Sequence, residues 1–451
     1  MHAPTFDLQS FIDRQRVGSV HATVLALCFL LLFIDGFDIF MLGKIAPAIA
    51  ADFGVSTASM TLVVILQQVG LAAGAFVVSP LGDRLGRKRT LIVCAAIFGV
   101  LTIATAFTNS ILSMAILRGI TGLFLAGVLP IAVALISEFT PKARRATFIA
   151  VGMTGYSLGN AAGALAAIAV PTLGWQGGFW ACGLMSLILV PLLVLKLPES
   201  LAHRSHRNSQ DPAIARMIRK MDPRIELTGE EIFVSPGQAR SASRTDPLEL
   251  FRGGRLRISV VLFSACFLSM GSIALMAAWL PSFFNQMAGV PIERFAVAAL
   301  FGLLGGVGGM LSIGWLMDRV HPTLPIPAFF LLYASAIFLL GQLSFDSIAF
   351  IPLLFALSFV QAGGQAGLNM VMARIYPVFV RSTGIGWAGG AGRIGGVILP
   401  LFGGFALASS FSLEVTLTVV AVPPLLVALL VLFLLPRRPD AAEGQADSHT
   451  A

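Results

Sequence analysis

Twelve stretches of about 20 or more mostly apolar residues divide this chain, and each is long enough for a helix to cross the hydrocarbon core of a bilayer. Their limits fall near 21–49, 57–82, 89–108, 111–138, 146–170, 176–196, 256–285, 295–317, 325–343, 347–373, 381–408 and 413–435. No soluble core holds so many. The composition agrees: 57% of residues are hydrophobic and 12% charged, about half the charged share of a soluble domain. The first, fourth and seventh stretches exceed what a bilayer needs, so these helices should tilt or protrude.

The net charge of +8 invites a nucleic-acid reading. The basic residues instead sit between spans, which is the signature of membrane topology. Loops from odd to even spans are nearly free of base, with Lys44 and Arg294 the main exceptions. Loops from even to odd spans hold Arg84, Arg87, Lys88 and Arg89, then Lys142, Arg144 and Arg145, then Arg374 and Arg381, and Arg437 and Arg438 follow the last span. Both termini are therefore expected in the cytoplasm of a multi-pass plasma (inner) membrane protein. No signal peptide is expected, since Asp7, Asp13, Arg14 and Arg16 precede a first span too long for a leader. Cys28, Cys94, Cys182 and Cys266 all lie in apolar spans without metal-ligand spacing and read as packing residues.

A polar segment, 198–254, divides the spans six and six. The expected domains are an N-terminal six-helix lobe (1–197), a cytoplasmic central loop (198–254) with a short helix near 211–221, a C-terminal lobe (255–436) and a disordered tail (437–451). An internal repeat supports two related lobes. Ser79-Pro80-Leu81-Gly82-Asp83-Arg84-Leu85-Gly86-Arg87-Lys88-Arg89 follows span two, and Gly314-Trp315-Leu316-Met317-Asp318-Arg319 follows span eight. The expected fold is all-α, with twelve transmembrane helices in two pseudo-symmetric lobes facing each other, as in transporters.

The Asp83-Arg84-Leu85-Gly86-Arg87-Lys88 segment resembles the signature loop of the major facilitator superfamily, with Asp318 and Arg319 in its second copy. Ser79 and His321 stand where that family usually has glycine. Asp35-Gly36-Phe37-Asp38 resembles the first-span signature of the aromatic acid:proton symporters, transporters of the 4-hydroxybenzoate, benzoate and vanillate type. Arg118, the Ser137-Glu138-Phe139-Thr140-Pro141 exit of span four, and Gly392-Arg393 are similar to that family too. The resemblance implies secondary active import of an aromatic carboxylate by proton symport through alternating access. Its partners would be the small acid, protons and the bilayer, with no cofactor, metal, nucleic acid or obligate protein partner. Span five lacks the Gly-Pro ending of the antiporter signature.

The charged residues lead the same way without the resemblance. A carboxylate in hydrocarbon costs roughly 2.5–3.5 kcal/mol on insertion scales and reads as functional. Asp35 and Asp38, three positions apart, lie on one helix face. At about 1.5 Å per residue they sit roughly 21–26 Å from the start of their span, level with Arg118. Arg118 can pair with either one. A guanidinium favours the charged carboxylate and burial the neutral one, which is the contrast proton coupling needs. A static Asp–Arg tether is the plain alternative.

Arg393 lies about 18 Å into span eleven. It suits a substrate carboxylate through bidentate hydrogen bonds, or a structural pairing with Asp83. Phe37, Tyr156, Trp279, Phe283 and Trp387 are candidate ring contacts, and Asn160, Gln361, Gln365 and Asn369 candidate polar contacts. Asp83, Arg84, Arg87, Lys88, Glu138, Arg144, Asp318 and Arg319 form a candidate cytoplasmic gate of breakable charge pairs. Gly155, Gly159 and Gly163 in span five, with the glycines crowding span eight, suit close helix approach. The rivals are a facilitator-type carrier of another organic acid, sugar or drug, and a transporter-like membrane sensor. An enzyme is not expected, because no nucleophile elbow or phosphate loop is present.

Overall fold

A computed structural model describes residues 4–56, 59–227, 231–235, 247–252, 255–290, 292–320, 324–409 and 411–434. The tail at 437–451, with Arg437 and Arg438, and His321 lie outside the described residues. The spanning helices are α1 (Ser19–Asp52), α2 (Met60–Leu85), α3 (Arg87–Thr105), α4 (Ile111–Phe139), α5 (Arg145–Leu173) and α6 (Gln176–Lys196). After the central loop come α7 (Leu256–Ala288), α8 (Ile292–Arg319), α9 (Pro325–Gln342) and α10 (Phe350–Ile375). The last two are α11 (Arg381–Ile398, continued by Leu401–Ala408) and α12 (Leu413–Val420, continued by Val422–Leu434). Ten of these are long and apolar enough to cross a membrane by the described residues; α5 and α8 are 29 and 28 residues long.

The helices that pack most intimately repeat across the two halves: α1 on α5 and α2 on α4, then α7 on α11 and α8 on α10. Glycine makes these approaches possible. Gly36 of α1 lies against the Tyr156 carbonyl of α5, and Gly309 of α8 lies against the Phe359 carbonyl of α10. A Cβ at either position would collide with backbone, which cannot move aside as a side-chain tip can. The expected glycine ladder of α5 behaves likewise, with Gly155 and Gly159 facing the carbonyls of Phe29 and Phe33.

Proline shapes the long spans. In α4 the helix breaks at 126–127, ahead of Pro130, whose missing N–H leaves the Ala126 carbonyl without its helical donor. The outer faces carry exposed Ile188, Leu195, Leu332 and Val93, as a lipid-facing surface requires.

Two seams join the halves, α2 with α11 and α5 with α8. At one, Gly386 lets α11 approach the buried Ser79 of α2; at the other, Gly314 of α8 sits on Ala146 and Ala150 of α5. Beside the seams lies a polar layer not anticipated from sequence. Thr5–Asp7 pairs in parallel with Ile232–Val234, and helix Leu8–Arg14 is capped by Asp7. The central loop forms helices Leu201–Arg207 and Pro212–Met221, the second matching the helix expected near 211–221 and capped by Asp211.

Candidate functional site

Asp38 and Arg118 form a fully buried pair, each 0% exposed. Arg118 Nη1 donates to Asp38 Oδ1 at 3.0 Å and Nη2 pairs with Oδ2. Thr102 of α3 donates to the same carboxylate at 3.5 Å and the Cys182 thiol of α6 lies 3.9 Å away. The guanidinium rests on the Phe179 ring, 5.5 Å from its centroid. Four helices of one half thus converge on a bidentate ion pair, the geometry that best offsets the cost of burying two charges.

Asp35, less than one turn away, is placed differently. It is 3% exposed, and its Oδ1 accepts no hydrogen bond among the described residues. Its electrostatic neighbours are Arg393, from the other half, and Asp38. Tyr156 of α5 feels both Asp35 and Arg393, so these three groups gather where the halves face each other. Arg393 is half-buried and makes no direct hydrogen bond or ion pair among the described residues. It makes no pair with Asp83.

The other candidates divide. Gln361 and Gln365 are half-buried on α10, bonded to Tyr333 and Ser269. Asn369, one turn further on, is buried, with its amide 4.0 Å from Met153 Sδ across the halves. Asn160 is engaged by Lys44, which donates to its side-chain oxygen at 3.0 Å and to its carbonyl. Phe37 and Phe283 are buried in packing, the latter stacked on Trp279, whose indole donates to the Pro400 carbonyl. Half-buried Trp387 lies at the α2–α11 seam: its indole donates to the Phe76 carbonyl at 3.1 Å and its ring meets Phe76 and Phe251. An aromatic in a glycine-rich span reads equally as ring contact or seam packing, and sequence did not separate the two.

The gate residues meet at one face of the molecule. Asp83 lies 2.9 Å from Arg87 and accepts from the backbone N–H and hydroxyl of Thr383, both at 2.8 Å, at the start of α11. Arg87 also reaches Glu138 at 3.1 Å and the Val378 carbonyl. Asp318 repeats the device in the other direction, accepting from the backbone of Ala146 and Thr147 at the start of α5 while pairing with Arg374 at 2.9 Å. A carboxylate at a helix N-terminus satisfies otherwise orphaned N–H groups and complements the helix dipole.

Arg84 and Arg144 are exposed, and Arg319 lies over the Trp315 ring, 3.8 Å from its centroid. Lys88 takes part from within its own half, donating to the Val194 carbonyl.

Sequence reading passed over several participants. Arg374 and Arg381 were counted only as topology charges, yet Arg381 donates to Ser137 at 3.2 Å and lies 3.9 Å from Glu138 across the halves. Asp13 was not anticipated as the partner of Arg145, which turns inward to it at 3.1 Å. Glu199 accepts from the Lys88 backbone at 3.1 Å. Beside it, burial and the Arg87 guanidinium push the His203 imidazole below its ordinary value.

A family model described as Major Facilitator Superfamily matches residues 28–377 and 297–450. The chain is 33% identical over 429 residues to a gallate transporter of Pseudomonas putida, covering 94% of each. It is 30% identical over 428 residues to a 4-hydroxybenzoate transporter of Pseudomonas aeruginosa, covering 94% of this chain and 95% of that one. Among solved structures, the proton:xylose symporter XylE aligns with a TM-score of 0.73 at 16% identity, over 94% of this chain and 99% of that one.

Proposed function

The chain belongs to the major facilitator superfamily, and from that premise we propose that it imports an aromatic carboxylate with protons across the plasma membrane by alternating access. It is a multi-pass membrane transporter, not an enzyme. The proposed orientation has both termini and the gate face in the cytoplasm, as the basic loops favour. Relatives that carry gallate and 4-hydroxybenzoate support the substrate class.

The observation that carries the reading is the unequal state of the two aspartates. Asp38 is neutralised within its own half by Arg118, while Asp35 keeps an unsatisfied oxygen and feels Arg393 of the opposite half. An unpaired buried carboxylate is relieved either by a cation or by a proton. Arg393 is therefore shared between two anions. With Asp35 ionised, Arg393 has a counter-ion. With Asp35 protonated, the guanidinium is released to hold a substrate carboxylate in a bidentate grip. Loss of the substrate on the far side leaves Arg393 needing an anion again, and Asp35 gives up its proton. A neutral sugar or drug would leave Arg393 uncompensated in the protonated state, which favours an acid. Half-buried Tyr156 is placed to meet the ring.

Proteoliposomes with an imposed pH gradient test this. An aryl acid should be concentrated inside, collapse of the gradient should stop it, and Arg393→Ala should abolish binding. Accumulation that persists without a gradient would sink the proton coupling. Unchanged affinity in Arg393→Ala would remove it from the substrate site.

A further inference from the structure

We infer that Gln361 and Gln365 form a subsite that reads ring hydroxyls, so that the substrates are phenolic aryl acids in preference to unsubstituted ones. The inference rests on the aryl-acid reading above and narrows it.

The two glutamines lie one turn apart on α10, on the face that continues to Asn369, and Asn369 faces Met153 of the other half. That face is therefore turned toward the junction between the halves. Arg374 and Arg381 mark the gate face on α10 and α11 through Asp318 and Ser137. At about 1.5 Å per residue, Gln365 and Gln361 sit about 14 and 20 Å from Arg374, while Arg393 sits about 18 Å from Arg381. The glutamine pair and the proposed carboxylate receptor are thus level.

Each amide is held from behind and open in front. Gln361 Nε2 donates to the Tyr333 hydroxyl at 2.8 Å, and Ser272 donates to the same hydroxyl at 3.3 Å. Gln365 Oε1 accepts from Ser269 at 2.6 Å. Tyr333, Ser269 and Ser272 are wholly buried, whereas both glutamines are half-buried. Gln361 Oε1 and Gln365 Nε2 have no further hydrogen-bond partner among the described residues. The pair presents one acceptor and one donor, which is what a phenolic hydroxyl needs in order to donate and accept at once. A purely structural network would not need two half-buried amides that each keep one end unbonded among the described residues. A site built to bond a substrate hydroxyl rejects the analogue that lacks it, because its polar groups are then left unpaired.

Binding of 4-hydroxybenzoate and of benzoate to the full chain in detergent is the test, with Gln361→Leu, Gln365→Leu and Tyr333→Phe. The wild type should bind the hydroxylated acid about tenfold or more tighter. Each leucine variant should bring the ratio toward one. Tyr333→Phe, which frees the Gln361 amide without touching the ligand, should lower the ratio less. If a leucine variant fails to fold, Gln→Asn variants withdraw the amide by one methylene and should lower the same ratio. Equal wild-type affinities, or a ratio unchanged in folded variants, would overturn the inference while leaving the aryl-acid reading intact. Arg393→Ala binding both acids normally would instead overturn that reading.

Discussion

Two carboxylates of α1, three residues apart, face two guanidiniums and make opposite use of them. Asp38 and Arg118 are saturated as an ion pair: bidentate, fully buried and tied to four helices of one half, with Arg118 Nε left without a hydrogen bond among the described residues. Asp35 and Arg393 are unsaturated: on different halves, in electrostatic reach of each other, without a direct hydrogen bond. A saturated pair has its charge matched in place, so we assign it to holding helices. An unsaturated pair can change partner, and in the proposed cycle, with its members on opposite halves, it does so when the halves move. On this view family-like spacing places both acids at the right depth, and the neighbouring helices decide which acid is structural.

The largest expected effect falls on the saturated pair. Arg118→Met leaves Asp38 charged and buried without its partner, a loss of about 3–5 kcal/mol for a pair of this kind. Thermal unfolding in detergent should show a large fall in midpoint and poor recovery of protein. A midpoint like that of the wild type would break the comparison. Asp35→Asn is expected to do the reverse: the fold survives, since no bond is lost, while gradient-driven accumulation falls by about tenfold or more because an intramembrane relay has lost its titrating group. Substrate exchange without a gradient should persist. Asp35→Asn unfolding as readily as Arg118→Met would erase the distinction between the two acids.

The twelve spans and the polar central loop were legible because length and hydropathy alone dictate them. The depth match between the aspartates and Arg118 was legible because helix rise converts sequence distance into height. What sequence did not settle was rotation. Whether Asp35 or Asp38 turns toward Arg118 depends on less than one turn of helix, below what spacing resolves. The same limit left Arg144 and Arg145 undivided beside Glu138, whereas in the structure Arg145 begins α5 and turns inward while Arg144 is exposed. Arg374 and Arg381 were hidden for another reason: an arginine at a span's end already has an explanation in topology. Asp13 and Glu199 gave no signal, because their partners are distant in sequence.

At the candidate gate paired carboxylates recur, but across the halves, while Arg87 Nε and both Glu138 oxygens lack a hydrogen bond among the described residues. Asp83 holds the start of α11 and Asp318 the start of α5. Asp83→Asn and Asp318→Asn should each weaken the shut face by roughly 1 kcal/mol, the scale of a helix cap. Spin-label distances between α2 and α11, and between α5 and α8, should then show a larger open population. Each acid also pairs with an arginine, but Asp83 alone of the two accepts from a hydroxyl across the halves, that of Thr383, so its variant is expected to open more than that of Asp318. Equal or absent shifts would mean that apolar seam packing alone sets the balance.

The smallest expected effect is a dependence on pH at that face. His203 sits in helix Leu201–Arg207, beside the turn from α2 to α3, and its surroundings include Arg87, Glu199, Glu138 and the Asp83 carbonyl. Burial first, and Arg87 next, lower its proton affinity below the ordinary 6.5, outweighing the two acids. His206 is lowered by the same two causes. Opening the gate admits water and relieves the burial, so the open state takes up the proton more readily than the shut one. The histidines' support for the shut state is therefore complete above pH 6.5 and is lost as pH falls from there through the lowered value. Acidifying the gate side from pH 7.5 to 5.5 should raise the open population, and His203→Gln with His206→Gln should flatten that response while leaving the Asp35-dependent response to the opposite side. A flat wild-type profile, or one the double variant does not alter, would place all the pH sensitivity at the unsaturated pair and sharpen the contrast between the two aspartates further.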